Sequence, residues 1–152
     1  MPGGLVVAAL VAVNASGDVV DPATGAIVAG VRTPDGRALA DARTLLRAGA
    51  RIKAGVGENT TIGVVATNAR LTTTEATKVA QMAQDGLARA IAPAHGPYDG
   101  DTLFALATGT RQGDADLVTI GALAAEVVAE AIVRAARAAT GIPGYPAARD
   151  LR

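Results

Sequence analysis

A chain of 152 residues, half of them apolar and 18% charged, has the composition of one ordinary globular domain with a core of its own. Its 14 basic and 14 acidic residues cancel, which argues against a nucleic-acid partner or an anionic membrane, since both need a basic patch. There is no cysteine, one histidine (His95), and Phe104, Tyr98 and Tyr145 are the aromatic residues, so thiol chemistry, thiolate metal sites and disulfide frameworks are excluded and aromatic stacking platforms are not expected.

The first apolar run, Leu5 to Val13, imitates the centre of a signal peptide. No basic residue precedes it, the first being Arg32, and it is too short to span a bilayer. It reads as a buried strand, over residues 4–14, in a cytoplasmic protein. Two short extended pieces follow, 18–25 and 26–30, around a Pro/Gly turn, and Thr33-Pro34-Asp35-Gly36 is a further turn. A short helix is expected over 38–48, with Leu39, Ala42, Leu45 and Leu46 on one face. Residues 54–58 read as loop and 61–69 as a second buried strand.

Thr72-Thr-Thr-Glu75 has the form of a capping box. The apolar positions behind it, from Ala76 through Val79, Ala83, Leu87 and Ala90 to Ile91, recur at helical spacing as far as the stop at Pro93. Residues 102–108 read as a third strand, and 116–140 as the longest helix, striped by Leu117, Ile120, Leu123, Val127, Ala131 and Ile132. The order, roughly β-β-(α)-β-α-β-α, predicts a single mixed α/β layered domain in which each helix can cover a sheet face.

Three places could carry chemistry. In Gly57-Glu58-Asn59-Thr60-Thr61, a threonine hydroxyl stands at the mouth of a strand with no histidine near it in sequence. Such a hydroxyl is a poor nucleophile without a base. A free α-amino group on Thr60 would serve, its pKa being about 7.7–8.0, provided the Asn59–Thr60 bond is cut. The hydroxyl of Thr60 can cut it by attacking the Asn59 carbonyl, in a loop that Gly55 and Gly57 would allow to be strained. The local pattern is equally that of a Gly-Glu-Asn turn opening a strand. Asp99 and Asp101 flank Gly100, and in extended chain they point to one side. They could orient a hydroxyl and an ammonium, hold a metal with His95, or form a plain Asp-Gly turn. Asn14, at the end of the first strand, could donate to an oxyanion, a contact worth about 3–4 kcal/mol in a transition state, or simply end the strand. Gly55-x-Gly57 lacks the third glycine of a dinucleotide fingerprint and Gly109–Gly113 lacks the lysine of a P-loop, so nucleotide binding is not expected.

Together, GENTTIGVVATNARLT, DGDTLFALATG and LVAVNASGDVVDPATG, in the expected order within residues 4–140, resemble the DmpA-type aminopeptidases, and among them the nylon-oligomer endo-hydrolases. The resemblance outweighs the local turn readings. It implies an αββα sandwich and an autoprocessing N-terminal-nucleophile hydrolase acting on short peptides or ω-amino-acid oligomers, without metal or cofactor. Thr60 would be the nucleophile, Asn59–Thr60 the processing site, Asn14 the oxyanion donor, and Asp99 and Asp101 the acidic pair. Members of that family carry a long N-terminal portion before the strand that ends at Asn14. The expectation is therefore the C-terminal part of the fold, in a homo-oligomer or with a partner supplying further strands, part of the pocket, and a Lys or Tyr. The competing expectation is a catalytically silent fragment serving as a structural or interaction module.

Overall fold

A computed structural model describes residues 4–51, 59–114 and 116–151. In chain order its elements are β1 (Val7–Ala12), β2 (Asp18–Val20), β3 (Ile27–Ala29), α1 (Ala42–Arg47), β4 (Ile62–Thr67), α2 (Thr73–Ala90), β5 (Ile91–Ala92), β6 (Thr102–Ala107) and α3 (Leu117–Ala138), with a 3-10 turn at Ala148–Asp150.

The long helices start where their caps stand. Thr72 Oγ1 accepts from the Glu75 N–H and Glu75 Oε2 accepts from the Thr72 N–H at 2.7 Å, so the box satisfies two orphan donors reciprocally. On α3 the Asp116 carboxylate accepts from the Thr119 N–H at 2.7 Å. At its far end α2 is shorter than its apolar stripe predicts. It stops at Ala90, and Ile91 and Ala92 form β5, paired antiparallel with β2. Pro93 disfavours the helical region for the residue before it, and β-branched Ile91 suits a strand, so the stop falls earlier than Pro93 itself. The expected helix over 38–48 is likewise trimmed to Ala42–Arg47. The Thr33–Gly36 turn draws Ala38 and Ala40 into a hairpin, with Thr33 N–H donating to Ala38 and Ala40 N–H to Val31, both at 2.8 Å.

Two three-stranded sheets result, β1-β4-β6 and β3-β2-β5. In the first, β1 runs antiparallel to β4 and β6 parallel to it, α2 lying in the crossover from β4 to β6. Its inward residues, Val7, Ala9 and Val11, Val65, and Leu103 and Ala105, pack on a core built from Val79, Ala83 and Leu87 of α2 and Ile120, Ala124, Val128 and Ile132 of α3. At Gly86 the helices approach so closely that a Cβ would sit 2.5 Å from the Ala125 carbonyl oxygen. The pattern allowed each helix a sheet face of its own; instead both lie on one face. On the opposite face Leu10 is 74% exposed, Phe104 60%, Leu106 52% and Ile62 51%. No helix among the described residues is long and apolar enough to cross a membrane.

The segment between β2 and α1 is held by a buried carboxylate. Asp18, 1% exposed, accepts from the Val31 N–H at 2.8 Å and the Ala42 N–H at 2.6 Å. A buried carboxylate with both oxygens engaged offsets much of its desolvation cost.

Candidate active site

The residues singled out in the sequence converge at one end of the sheet β1-β4-β6, where β1 finishes and β4 and β6 begin. The β1–β4 ladder pairs Val7 with Thr67 and Ala12 with Ile62; continued two residues further, the same register sets Asn14 opposite Thr60. On the other side β4 and β6 pair Ile62 with Thr102, and the parallel pairing reaches back to a bridge between Asn59 and Asp99. Thr60 therefore stands beside Gly100 on one neighbouring strand, with Asn14 two residues past the end of β1 on the other side of β4. Asn14 is exposed and Thr60 half-buried.

Hydrogen bonds fix the backbone around Thr60. The Asn59 carbonyl accepts from the Gly100 N–H at 2.9 Å, and the Thr61 carbonyl from the Thr102 N–H at 3.0 Å. Asp101 Oδ1 accepts from the Thr61 N–H at 2.7 Å. Asp99 accepts from the Ser16 hydroxyl at 3.1 Å and the Gly96 N–H at 2.7 Å. Among the described residues the two carboxylates thus hold the backbone and loop beside Thr60, with neither bonded to its hydroxyl. Ser16, not singled out in the sequence, ties the segment carrying Asn14 to the segment carrying Asp99. A hydroxyl two residues beyond a candidate oxyanion donor was the available signal.

The site divides between the faces of the sheet. Thr61 alternates with Gly63, Val65 and Thr67, all buried. The side chain of Thr60 falls on the other side, with Ile62 and Val64, where a Cβ on Gly100 would meet its Oγ1 at 2.5 Å. That side carries a shallow apolar groove lined by Leu10, Ala12, Ile62, Val64 and Phe104. The Thr61 hydroxyl is fully buried and makes no hydrogen bond among the described residues. Gly55, Gly57 and Glu58, expected to shape the loop before Asn59, lie outside the described residues. His95 is exposed, and no group of three His, Asp or Glu among the described residues is placed to hold a metal ion, so the His95–Asp99–Asp101 metal reading is set aside.

The Asn59 carbonyl is held by an N–H donor and is followed by a residue bearing a hydroxyl, two of the parts an acyl shift uses. With this geometry, the match of residues 1–149 to the model of peptidase family S58 takes on chemical content. The chain belongs to that family.

Among its curated relatives, an uncharacterised aminopeptidase of Mycobacterium tuberculosis is 38% identical over 176 residues, covering 99% of this chain and 49% of the relative. An uncharacterised aminopeptidase of Mycobacterium leprae is 42% identical over 161 residues, covering 96% and 44%. A 6-aminohexanoate-oligomer endohydrolase of Kocuria sp. is 34% identical over 90 residues, covering 52% and 25%. The S58 chain described here spans about half the length of the mycobacterial relatives it matches.

Proposed function

We propose that this chain is the nucleophile-bearing part of an autoprocessing amide-bond hydrolase, with Thr60 as nucleophile. The observation that carries the reading is the position of Thr60 at a sheet end, its side chain against Gly100 and the Asn59 carbonyl hydrogen-bonded by the Gly100 N–H. In maturation, Thr60 Oγ1 adds to the Asn59 carbonyl carbon and the C–N bond breaks, the hydroxyl proton ending on the Thr60 nitrogen. Water hydrolyses the ester, leaving a carboxylate on Asn59 and a free amine and hydroxyl on Thr60. In turnover the amine takes the hydroxyl proton as the oxygen attacks a substrate amide, and passes it to the leaving amine. The acyl-enzyme then falls to water. Asn14 donates to the oxyanion. Asp101 orients Thr60 through the N–H of Thr61, and Asp99 holds the loop beside it through Ser16 and Gly96. The cycle needs no metal or cofactor.

The substrate we infer is a short peptide or an ω-amino-acid oligomer, in keeping with the names of the aminopeptidase and endohydrolase relatives and with the apolar groove beside Thr60. We also propose that the sheet is one layer of an αββα sandwich, 1–152 being a single domain that forms its C-terminal part. β1 and β4 read as apolar runs on both faces, which is the pattern of strands covered on both sides, whereas helices cover only one. The cover would come from an N-terminal portion or another subunit.

Intact-mass spectrometry of the chain beside a Thr60→Ala variant tests the reading. Self-processing predicts fragments 1–59 and 60–152 from the parent alone. A parent that stays whole after long incubation excludes maturation by this chain on its own and favours the silent module. Amide hydrolysis by uncut chain would remove the free-amine mechanism.

A further inference from the structure

Resting on the reading of Thr60 as nucleophile, we propose that Gly100 is a positioning residue, and that the space left by its absent β-carbon is the seat of the Thr60 hydroxyl. A glycine between two aspartates reads at first as a turn residue. Its φ, however, is outside the left-handed region that favours glycine, so backbone conformation does not require one here. What requires it is a neighbour. A Cβ on Gly100 would lie 2.5 Å from Thr60 Oγ1 and 3.5 Å from Thr60 Cβ and Cγ2, and these are its three nearest atoms. The close approach is to the side chain of Thr60.

The backbone cannot relieve such a contact by sliding. Gly100 N–H holds the Asn59 carbonyl on one side of Thr60, and Thr102 N–H holds the Thr61 carbonyl on the other. The Asp101 carboxylate holds the Thr61 N–H between them. A methyl at position 100 must therefore be accommodated at χ1 of Thr60. Of the staggered rotamers open to a threonine, the one that vacates the position beside residue 100 turns the hydroxyl by about 120°. Gly100 thus acts on both partners of the proposed acyl shift: its N–H fixes the carbonyl, and its bare Cα admits the hydroxyl that attacks it.

The test is Gly100→Ala, which keeps the N–H and adds only the methyl. Self-cleavage followed by intact mass is expected to slow about 100-fold or more, the order of loss that an ångström of misplacement brings. The melting temperature should hardly move. The Thr60 χ1 rotamer, read from three-bond couplings to its γ-methyl, should switch between parent and variant. A parent that does not cleave itself excludes maturation by this chain on its own, and the rotamer then decides the role of Gly100 alone. An unchanged rotamer overturns the proposal, whatever the rate does; so does an unchanged rate in a parent that cleaves. If Gly100→Ala fails to fold, the double variant with Thr60→Ala must fold, because the colliding atoms are gone. A double variant that also fails places the collision elsewhere and overturns the proposal.

Discussion

The two faces of the sheet β1-β4-β6 are built from the same strands and do opposite work. The covered face meets α2 and α3 through Val65, Leu103 and the half-buried Val7, Ala9 and Val11, and there the fold is held. The other face presents Leu10, Ile62, Phe104 and Leu106 to solvent, and Thr60 lies at its end with its hydroxyl on that side. Stability and candidate chemistry are separated by the thickness of one sheet. A side chain on one face can be changed for stability with the other face as its control.

The largest difference should come from truncating matched leucines. Leu87, fully buried on α2, has nowhere to relax, and Leu87→Ala is expected to cost about 2–5 kcal/mol in urea unfolding. Leu10→Ala on the open face should stay within about 0.5 kcal/mol in dilute solution. A cost at Leu10 that grows with protein concentration would break the contrast, since it would mean that the chain buries this face against another copy.

How much of this was legible in the sequence follows the same division. Periodicity gives α2 and α3 to within a few residues, and at the start of α2 the Thr72–Glu75 box is a local signal that acts locally. The three main strands are legible as apolar runs. β5 was not, since a two-residue strand at the end of a helical stripe is settled by its partner β2 and not by its own residues. Nor does a one-dimensional pattern say on which face a helix will lie. At the candidate site, the residue types of Asn14, Thr60, Asp99 and Asp101 are visible, but their meeting depends on two registers, one antiparallel and one parallel. Ser16 and Gly100 escaped because each looks like turn punctuation until its neighbour across the sheet is known.

Thr61 sharpens the comparison with the opposite sign. It points to the covered face beside Thr60, and its hydroxyl is buried without a partner among the described residues. Such a group costs about 1–3 kcal/mol to desolvate, so Thr61→Val, similar in shape, is expected to raise stability by about 1 kcal/mol. Mass spectrometry of the same variant should show self-cleavage at the parent rate, since the Thr60 side chain lies on the other face. A more stable protein that cleaves slowly would show that the covered face also contributes to the chemistry.

On the open face, Phe104→Lys should leave urea stability within about 0.5 kcal/mol while reducing binding of an apolar dye. Unchanged dye binding would mean that this face is not the accessible apolar surface it is in the structure.

The smallest expected effect lies at the helix starts, on the layer that covers the sheet. Hydrogen bonds from the backbone and side chain of Thr72 hold the Glu75 carboxyl below its ordinary value of 4.5, and those from the side chain and backbone of Thr119 hold Asp116 below 3.8. Each is a carboxyl whose folded pKa is depressed, so its contribution is complete above the ordinary value and is lost as pH falls through the folded one. Both groups are on the surface, where solvent screens them, so only a shallow decline in stability is expected below about pH 4. Glu75→Gln should remove the part of that slope owed to α2 and leave stability near neutral pH slightly lower. Amide exchange at the first turn of α2, followed from pH 5 to pH 3, measures it directly. If the variant and the parent lose protection in parallel, the acid sensitivity of α2 does not come from its capping carboxylate.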